Sequence, residues 1–290
     1  MDYFLHVMFL AAVYTTLAVS LDLLAGQTGL LSIAQAAFYG LGGYTSALLA
    51  VLSGAPFLLG VLAGVAVAAL ISLIVSVPSM RLHDDYFVVA TFGFQMIVFS
   101  IFNNWTELTR GPLGISGIPQ PVIFGWHVDS HTDFLILASV LAAFAYSIVC
   151  RIISSPFGRV LHAIREDELF AKAQGKNTLY FKVTAFAVSA ALASIAGSLY
   201  AHYITYIDPT SFTVMESILI ISMVIIGGAG STWGPLVGAV VLVTLPEALR
   251  FIGLPSGMAA NLRQIIYGSL LVIMMMFRPR GLVGKYGFSK

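Results

Sequence analysis

Three carboxylates fall inside long apolar stretches: Asp22, Glu216 and Glu247. A charged group in a membrane span costs about 3 kcal/mol or more, so it binds an ion or proton, lines a path, or is paired. Glu247 follows Pro246 and lies close to Arg250, which suits an interfacial ion pair. Glu216 opens its stretch after Asp208-Pro209, as an interface anchor or an external gate. Asp22 lies next to a glycine-rich stretch, where it either lines a pore or accepts from unwound backbone. Uncharged polar groups occupy similar stretches: Gln27, Ser32, Gln35, Tyr39, Tyr44, Thr45, Thr91, Gln95 and His202. With Asp22 and Glu216 they are the candidates for a translocation path. Hydrogen bonding between helices is the ordinary alternative.

Other chemistry finds little support. No paired catalytic carboxylates, His-rich metal motif or Ser–His pairing sits at sensible depth, so neither catalytic nor metal residues are expected. His127 and His131 have metal-like spacing, but they share a polar loop with Asp129 and Asp133. No G-x-x-x-x-G-K-[ST] stretch is present to hold ATP. Cys150 is the single cysteine, which excludes an internal disulfide framework.

The elements that must hold these groups are membrane helices. Of 290 residues 59% are hydrophobic and only 9% charged, and the mean hydropathy is +0.94. A soluble fold of this length has far too much surface to cover with so few polar groups. The net charge of +1 gives no support to nucleic-acid binding. Apolar stretches suited to spans lie near 3–24, 29–52, 57–77, 86–102, 131–153, 180–203, 214–230, 233–250 and 259–277. The expectation is an all-α polytopic membrane protein of eight to ten spans, forming one transmembrane domain over 1–290. The first stretch lacks a basic flank and an A-x-A site, so it reads as a span and not a removable leader.

Placing 154–181 in the cytoplasm puts eleven of the fourteen Lys and Arg on that side, including those at the C-terminus. Residues 23–54 carry too many glycines and polar groups for a plain lipid-facing helix, so a discontinuous helix is expected near 26–43. Depending on how that break is threaded, the N-terminus lies outside or inside. Small residues recur at four-residue spacing in Gly60/Gly64, Ala193/Gly197/Ala201 and Gly230/Gly234/Gly238, which suits close helix packing.

Residues 154–181 read as two short helices. Pro156 suits a first turn, Glu166 or Asp167 a second cap, Gly175 a stop, and Asn177 or Thr178 the cap of the next span. Apolar Leu161, Ile164, Leu169, Phe170 and Ala173 on this charged segment suit either docking into a soluble partner or lying on the membrane interface.

Four motifs, in order, carry a family resemblance. They are GQTGLLSIAQAAF at 26–38 with Gly40 and GYTSAL at 43–48; RLHDDYF at 81–87 with TFGF at 91–94; Asn104-Trp105 with LTRGPLGI at 108–115 and Ile118-Pro119; and GRVLHAIREDELFAKAQG at 158–175, followed by GGAGSTWGP at 227–235. The chain resembles the permease subunits of ATP-binding-cassette importers for branched-chain amino acids, the LivH/LivM type, and the M-type subunit in particular. Leu30 stands where the family commonly has glutamine, Ala34 and Asp84 where it has glycine, and Asp22 where it has asparagine. Permeases for urea and short amides share most of these motifs.

The resemblance implies a bacterial inner-membrane subunit with a cytoplasmic C-terminus. It would pair with a second, usually unlike permease, two ATPase subunits that bind ATP and magnesium, and a periplasmic binding protein. This chain would bind no cofactor itself. Arg165, Glu166, Asp167, Glu168, Leu169, Ala171 and Gly175 would then form the coupling element resting on an ATPase. A secondary transporter driven by an ion gradient, with Asp22 as its ion site, is the reading from another class.

Overall fold

The computed structural model describes residues 2–80, 84–123, 125–250, 268–269, 272–273, 276–278 and 281–284. Its helices are α1 (Asp2–Thr28), α2 (Gln35–Ser53), α3 (Phe57–Ser79), α4 (Asp84–Asn104), α5 (Thr106–Thr109), α6 (His131–Ser154), α7 (Pro156–Glu166), α8 (Glu168–Ala173), α9 (Thr178–Ile204), α10 (Val214–Gly227) and α11 (Gly234–Arg250). Single 3-10 turns lie at Gly111–Leu113 and Pro209–Phe212. Four two-residue strands, β1 (Ile115–Ser116), β2 (Val122–Ile123), β3 (Trp126–His127) and β4 (Tyr206–Ile207), form the antiparallel pairs β1–β4 and β2–β3. Seven helical stretches are long and apolar enough to cross a membrane, and Gly234–Leu245 is apolar but shorter. The chain is a polytopic helical membrane protein. Most of the expected span at 259–277, residues 81–83, Arg263 and the Glu247 side chain lie outside the described residues.

The bundle has two distinct ends. One carries α7 and α8. The other carries the segment from α5 to β3, together with β4. Helix α1 runs from the second end to the first. Near its start His6 Nδ1 lies 2.8 Å from the Tyr203 hydroxyl, close to the end of α9. In its last turn the Gly26 oxygen accepts from Arg165 of α7. The N-terminus therefore lies opposite α7, the arrangement expected if 29–52 crosses once.

The helical break is real but shorter than expected: it covers 29–34 alone. Gly40, Gly42 and Gly43 are helical. These glycines serve packing. A Cβ on Gly42 would collide with the backbone of Ser194, and one on Gly197 with the Tyr39 carbonyl, so α2 and α9 run nearly backbone to backbone.

Both α2 and α10 begin level with Gln95, near the middle of α4. The Ala37 amide donates to Gln95 Oε1 at 2.6 Å, and the Ser217 hydroxyl reaches the same atom at 3.4 Å. Gln95 Nε2 donates to the Phe212 carbonyl at 2.8 Å, just ahead of α10. The Ala36 amide donates to Ser217 Oγ at 2.9 Å, and the Ile33 amide to Thr91 Oγ1 at 3.2 Å. From this level α2 returns towards the end that carries α5 to β3, and α10 runs towards the α7 end. Each follows a 27-residue helix, α1 or α9, and an irregular stretch. The first orphan amides of a helix need partners, and lipid offers none. For α2, side chains of α4 and α10 supply them.

Gln95→Leu removes acceptor and donor together while keeping the volume similar. Each buried group left unpaired costs about 1–3 kcal/mol. The purified protein in detergent should unfold at a clearly lower temperature. Gly93→Ala, two residues away where a Cβ meets open space, should change little.

Candidate functional site

Of the eleven residues expected along a translocation path, only Thr45 and Glu216 keep appreciable exposed surface within this chain. The others are inside it and mostly bonded. Gln35 Nε2 donates to Ser20 Oγ at 2.6 Å. Ser32 Oγ accepts from the Ala34 amide at 3.2 Å, and Thr91 Oγ1 donates to the Val88 carbonyl at 2.9 Å. His202 Nδ1 lies 2.7 Å from the Pro119 carbonyl, which can only accept, so Nδ1 carries the proton. In the neutral ring Nε2 then accepts from the Ser46 hydroxyl at 2.9 Å.

Tyr39 and Tyr44 sit in an aromatic cluster with Phe102, Tyr200 and Phe212. The Tyr44 hydroxyl and Gln27 Oε1 are buried polar atoms with no hydrogen-bond partner among the described residues. Glu216 accepts from the Tyr14 hydroxyl. Asp22, fully enclosed, accepts from the Gly230 amide at 2.8 Å and from Gln27 Nε2 at 3.3 Å. Its backbone partner is thus the turn between α10 and α11, not the nearby break at 29–34. Nothing local in the sequence marks Tyr14, Ser46, Ser217 or Gly230 as partners of these groups.

The second region is built by local signals. Ser155 caps α7, accepting from the Gly158 amide at 3.3 Å, with Pro156 at its first position. Asp167 caps α8, accepting from the amides of Leu169 at 2.8 Å and Phe170 at 3.0 Å. Gly175, with φ of 77°, turns the chain after α8, and Asn177 caps α9 through the Tyr180 amide at 3.2 Å. Leu161 and Ile164 bury one face of α7 against the bundle.

Glu168 fixes α8 to the start of α9. Its carboxylate takes Lys182 Nζ at 2.6 Å, the Thr178 hydroxyl at 2.8 Å and Lys172 Nζ at 3.1 Å. Burial alone would raise this carboxyl, but hydrogen bonds from Lys182, Thr178 and Lys172 outweigh it and hold it down at about 2. Ala171 packs inward, and Arg165 is turned into the bundle towards Gly26. Glu166, Asp167 and Gly175 are exposed. Leu169 and Phe170 stand out from the same turn of α8, 76% and 58% exposed. Two large apolar side chains thus project from a capped, ion-paired short helix at one end of a membrane bundle. Lys182 was legible in the sequence only as one more basic residue. Its role as the buried half of this pair comes from the fold.

Comparison with known proteins agrees with this architecture. A family described as "Branched-chain amino acid transport system / permease component" matches residues 3–275. The chain is 32% identical to the high-affinity branched-chain amino acid transport system permease protein LivM of Escherichia coli, over 94% of this chain and 68% of that protein. It is 27% identical to a probable branched-chain amino acid transport permease protein LivM of Methanocaldococcus jannaschii, over 71% of this chain and 62% of that protein. It is 23% identical to the LivH permease of Salmonella typhimurium, over 98% of this chain and 96% of that protein. No solved structure matches.

The lowered Glu168 carboxyl gives a pH signature. Because its folded-state pKa is depressed, its stabilisation is complete above the usual carboxylate value of 4.5 and is lost as pH falls towards about 2. Wild type should melt above Glu168→Gln at neutral pH. The gap should hold down to about pH 4.5 and close by about pH 2 in thermal scans of the detergent-solubilised protein.

Proposed function

The chain belongs to the branched-chain amino acid transport permease family, and we propose that it is the M-type transmembrane subunit of an ATP-driven importer. In this reading it translocates a branched-chain amino acid or a similar small polar solute delivered by a periplasmic binding protein. It sits in the inner membrane with its C-terminus and the α7–α8 segment in the cytoplasm. It pairs with a second permease, usually unlike, and rests on two ATPase subunits that bind ATP and magnesium.

The observation that carries the reading is the pair Leu169 and Phe170 on α8. Two large apolar side chains exposed on a charged, ordered element suit a groove on a soluble partner. Glu168, Lys182 and the Asp167 cap order that element beforehand, which lowers the entropy lost on docking. The other path candidates are enclosed within the chain, so the solute route is proposed to run between the two permeases, along the surface that includes Glu216 and Thr45. Transport of urea or a short amide remains the second substrate reading, because the motifs are shared. A secondary transporter would instead show uptake by this chain alone.

Leu169→Glu with Phe170→Glu places two charges where the groove expects apolar groups. The double variant should stay folded, since both side chains are exposed, yet fail to copurify with ATPase subunits and lose ATP-dependent uptake. Copurification and uptake at wild-type level would defeat the docking assignment.

A further inference from the structure

At the end of the bundle that carries α7, groups from three distant parts of the chain meet. Arg165, in the last turn of α7, donates through Nη1 to the Gly26 oxygen. That oxygen belongs to the last turn of α1, where a carbonyl has no partner within its own helix. One turn earlier, Asp22 accepts from the Gly230 amide at 2.8 Å. Gly26 lies between the two contacts: a Cβ there would collide with both the Asp22 carboxylate and the Gly230 amide. The turn that contains Gly230 is held on its other side by the chain's last described residues. The Leu282 amide donates to the Ile226 carbonyl and the Val283 amide to the Gly227 carbonyl, both at 2.9 Å.

We propose that Arg165 and Asp22 are the two halves of a latch that carries movement of α7 to the turn at 228–233, through the last turn of α1. Hydrogen bonds with an ionised partner are short, directional and stronger than neutral ones. Here a hydrogen bond lies on each side of a single helical turn, from the charged Arg165 on one side and to the buried Asp22 on the other, so that turn links α7 to the α10–α11 junction as a stiff piece. Leu161 and Ile164 add apolar packing of α7 against the bundle, which is not directional as these hydrogen bonds are. Arg165 is turned inward while Leu169 and Phe170 face out, so holding the partner and passing on its movement fall to different residues. The latch rests on the docking reading above, and both are positioning roles.

The test uses the whole transporter, with its ATPases and binding protein, in proteoliposomes, and reads ATP hydrolysed per solute imported. Arg165→Met should raise that ratio about tenfold or more while the ATPase still copurifies, and Arg165→Lys should restore most of the coupling. Asp22→Leu should raise the ratio in the same way. Asp22→Asn should not, because its amide oxygen still accepts from Gly230 and its amide nitrogen can donate to the unpaired Gln27 Oε1. Spin labels on exposed Arg159→Cys and Thr232→Cys, in a Cys150→Ser background, give a second reading. Their separation should stay constant on ATP binding in the otherwise wild-type chain and change in Arg165→Met.

A ratio within about twofold of wild type for both Arg165→Met and Asp22→Leu overturns the latch. So does loss of ATPase copurification in Arg165→Met, which would make Arg165 a docking residue. Failure of the docking reading shows separately, as a Leu169→Glu, Phe170→Glu transporter that still assembles.

Discussion

A peptide group that leaves a helix inside a membrane finds no water, and this chain meets that constraint at Gln95. An interrupted helix is tolerated at membrane depth only where protein groups satisfy its free ends. Two interrupted stretches here end at one level, and one primary amide serves both. Its oxygen takes the Ala37 amide and the Ser217 hydroxyl, and its nitrogen reaches the Phe212 carbonyl. A primary amide combines, without charge, an oxygen that can take two donors with a nitrogen that donates. A carboxylate would lack the donor, and a hydrocarbon would leave the Phe212 carbonyl without this partner and the Ala37 amide with the Ala34 carbonyl alone. The opposed courses of α2 and α10 follow from that shared anchor.

The rest of the packing brings the anchor's neighbours close enough to share it. Lipid gives apolar helices no reason to associate, so backbone proximity, ring contacts and polar pairs must do so. Bare glycine faces let α2 and α9 approach nearly to backbone contact. Phe212, next to the carbonyl held by Gln95, contacts Tyr39, Tyr44 and Phe102, so the start of α10 and the middle of α2 are seated in one aromatic cluster. Large apolar side chains on the far faces of α3, α4 and α6 remain exposed, as lipid or another subunit requires.

What the sequence revealed follows the range of each interaction. Pro156, Asp167, Gly175 and Asn177 act on backbone within three residues, and each is where local chemistry puts it. The break was visible as a run of glycines, but its limits were not. A glycine that unwinds a helix and one that admits a neighbouring helix look alike until the neighbour is known, so the sequence does not separate Gly40, Gly42 and Gly43 from the break. Gln95 was visible as a polar group in an apolar span, which marks it for a path or for interhelical bonding without deciding between them. Its partners lie 58, 117 and 122 residues away, and that of Asp22 lies 208 residues away. No spacing rule reaches so far, so which polar group meets which backbone end had to come from the fold.

Polar pairs at the α7 end gather where short elements meet long ones. At the α7 end, polar groups are spent on position: Glu168 on Lys182, Asp167 on the α8 amides, Asp22 on Gly230. None of these is needed to make the bundle helical, since most helical stability comes from packing of apolar faces. Each instead fixes a short element against a long one, where apolar contact alone would allow sliding. Sliding is tolerable in a protein that only holds a shape. It is costly in a subunit driven by work done on another chain, because displacement absorbed in slack side-chain contacts never reaches the middle of the membrane. Spending scarce polar groups where short elements meet long ones, in a chain with only 9% charged residues, is what the proposed driven subunit would need.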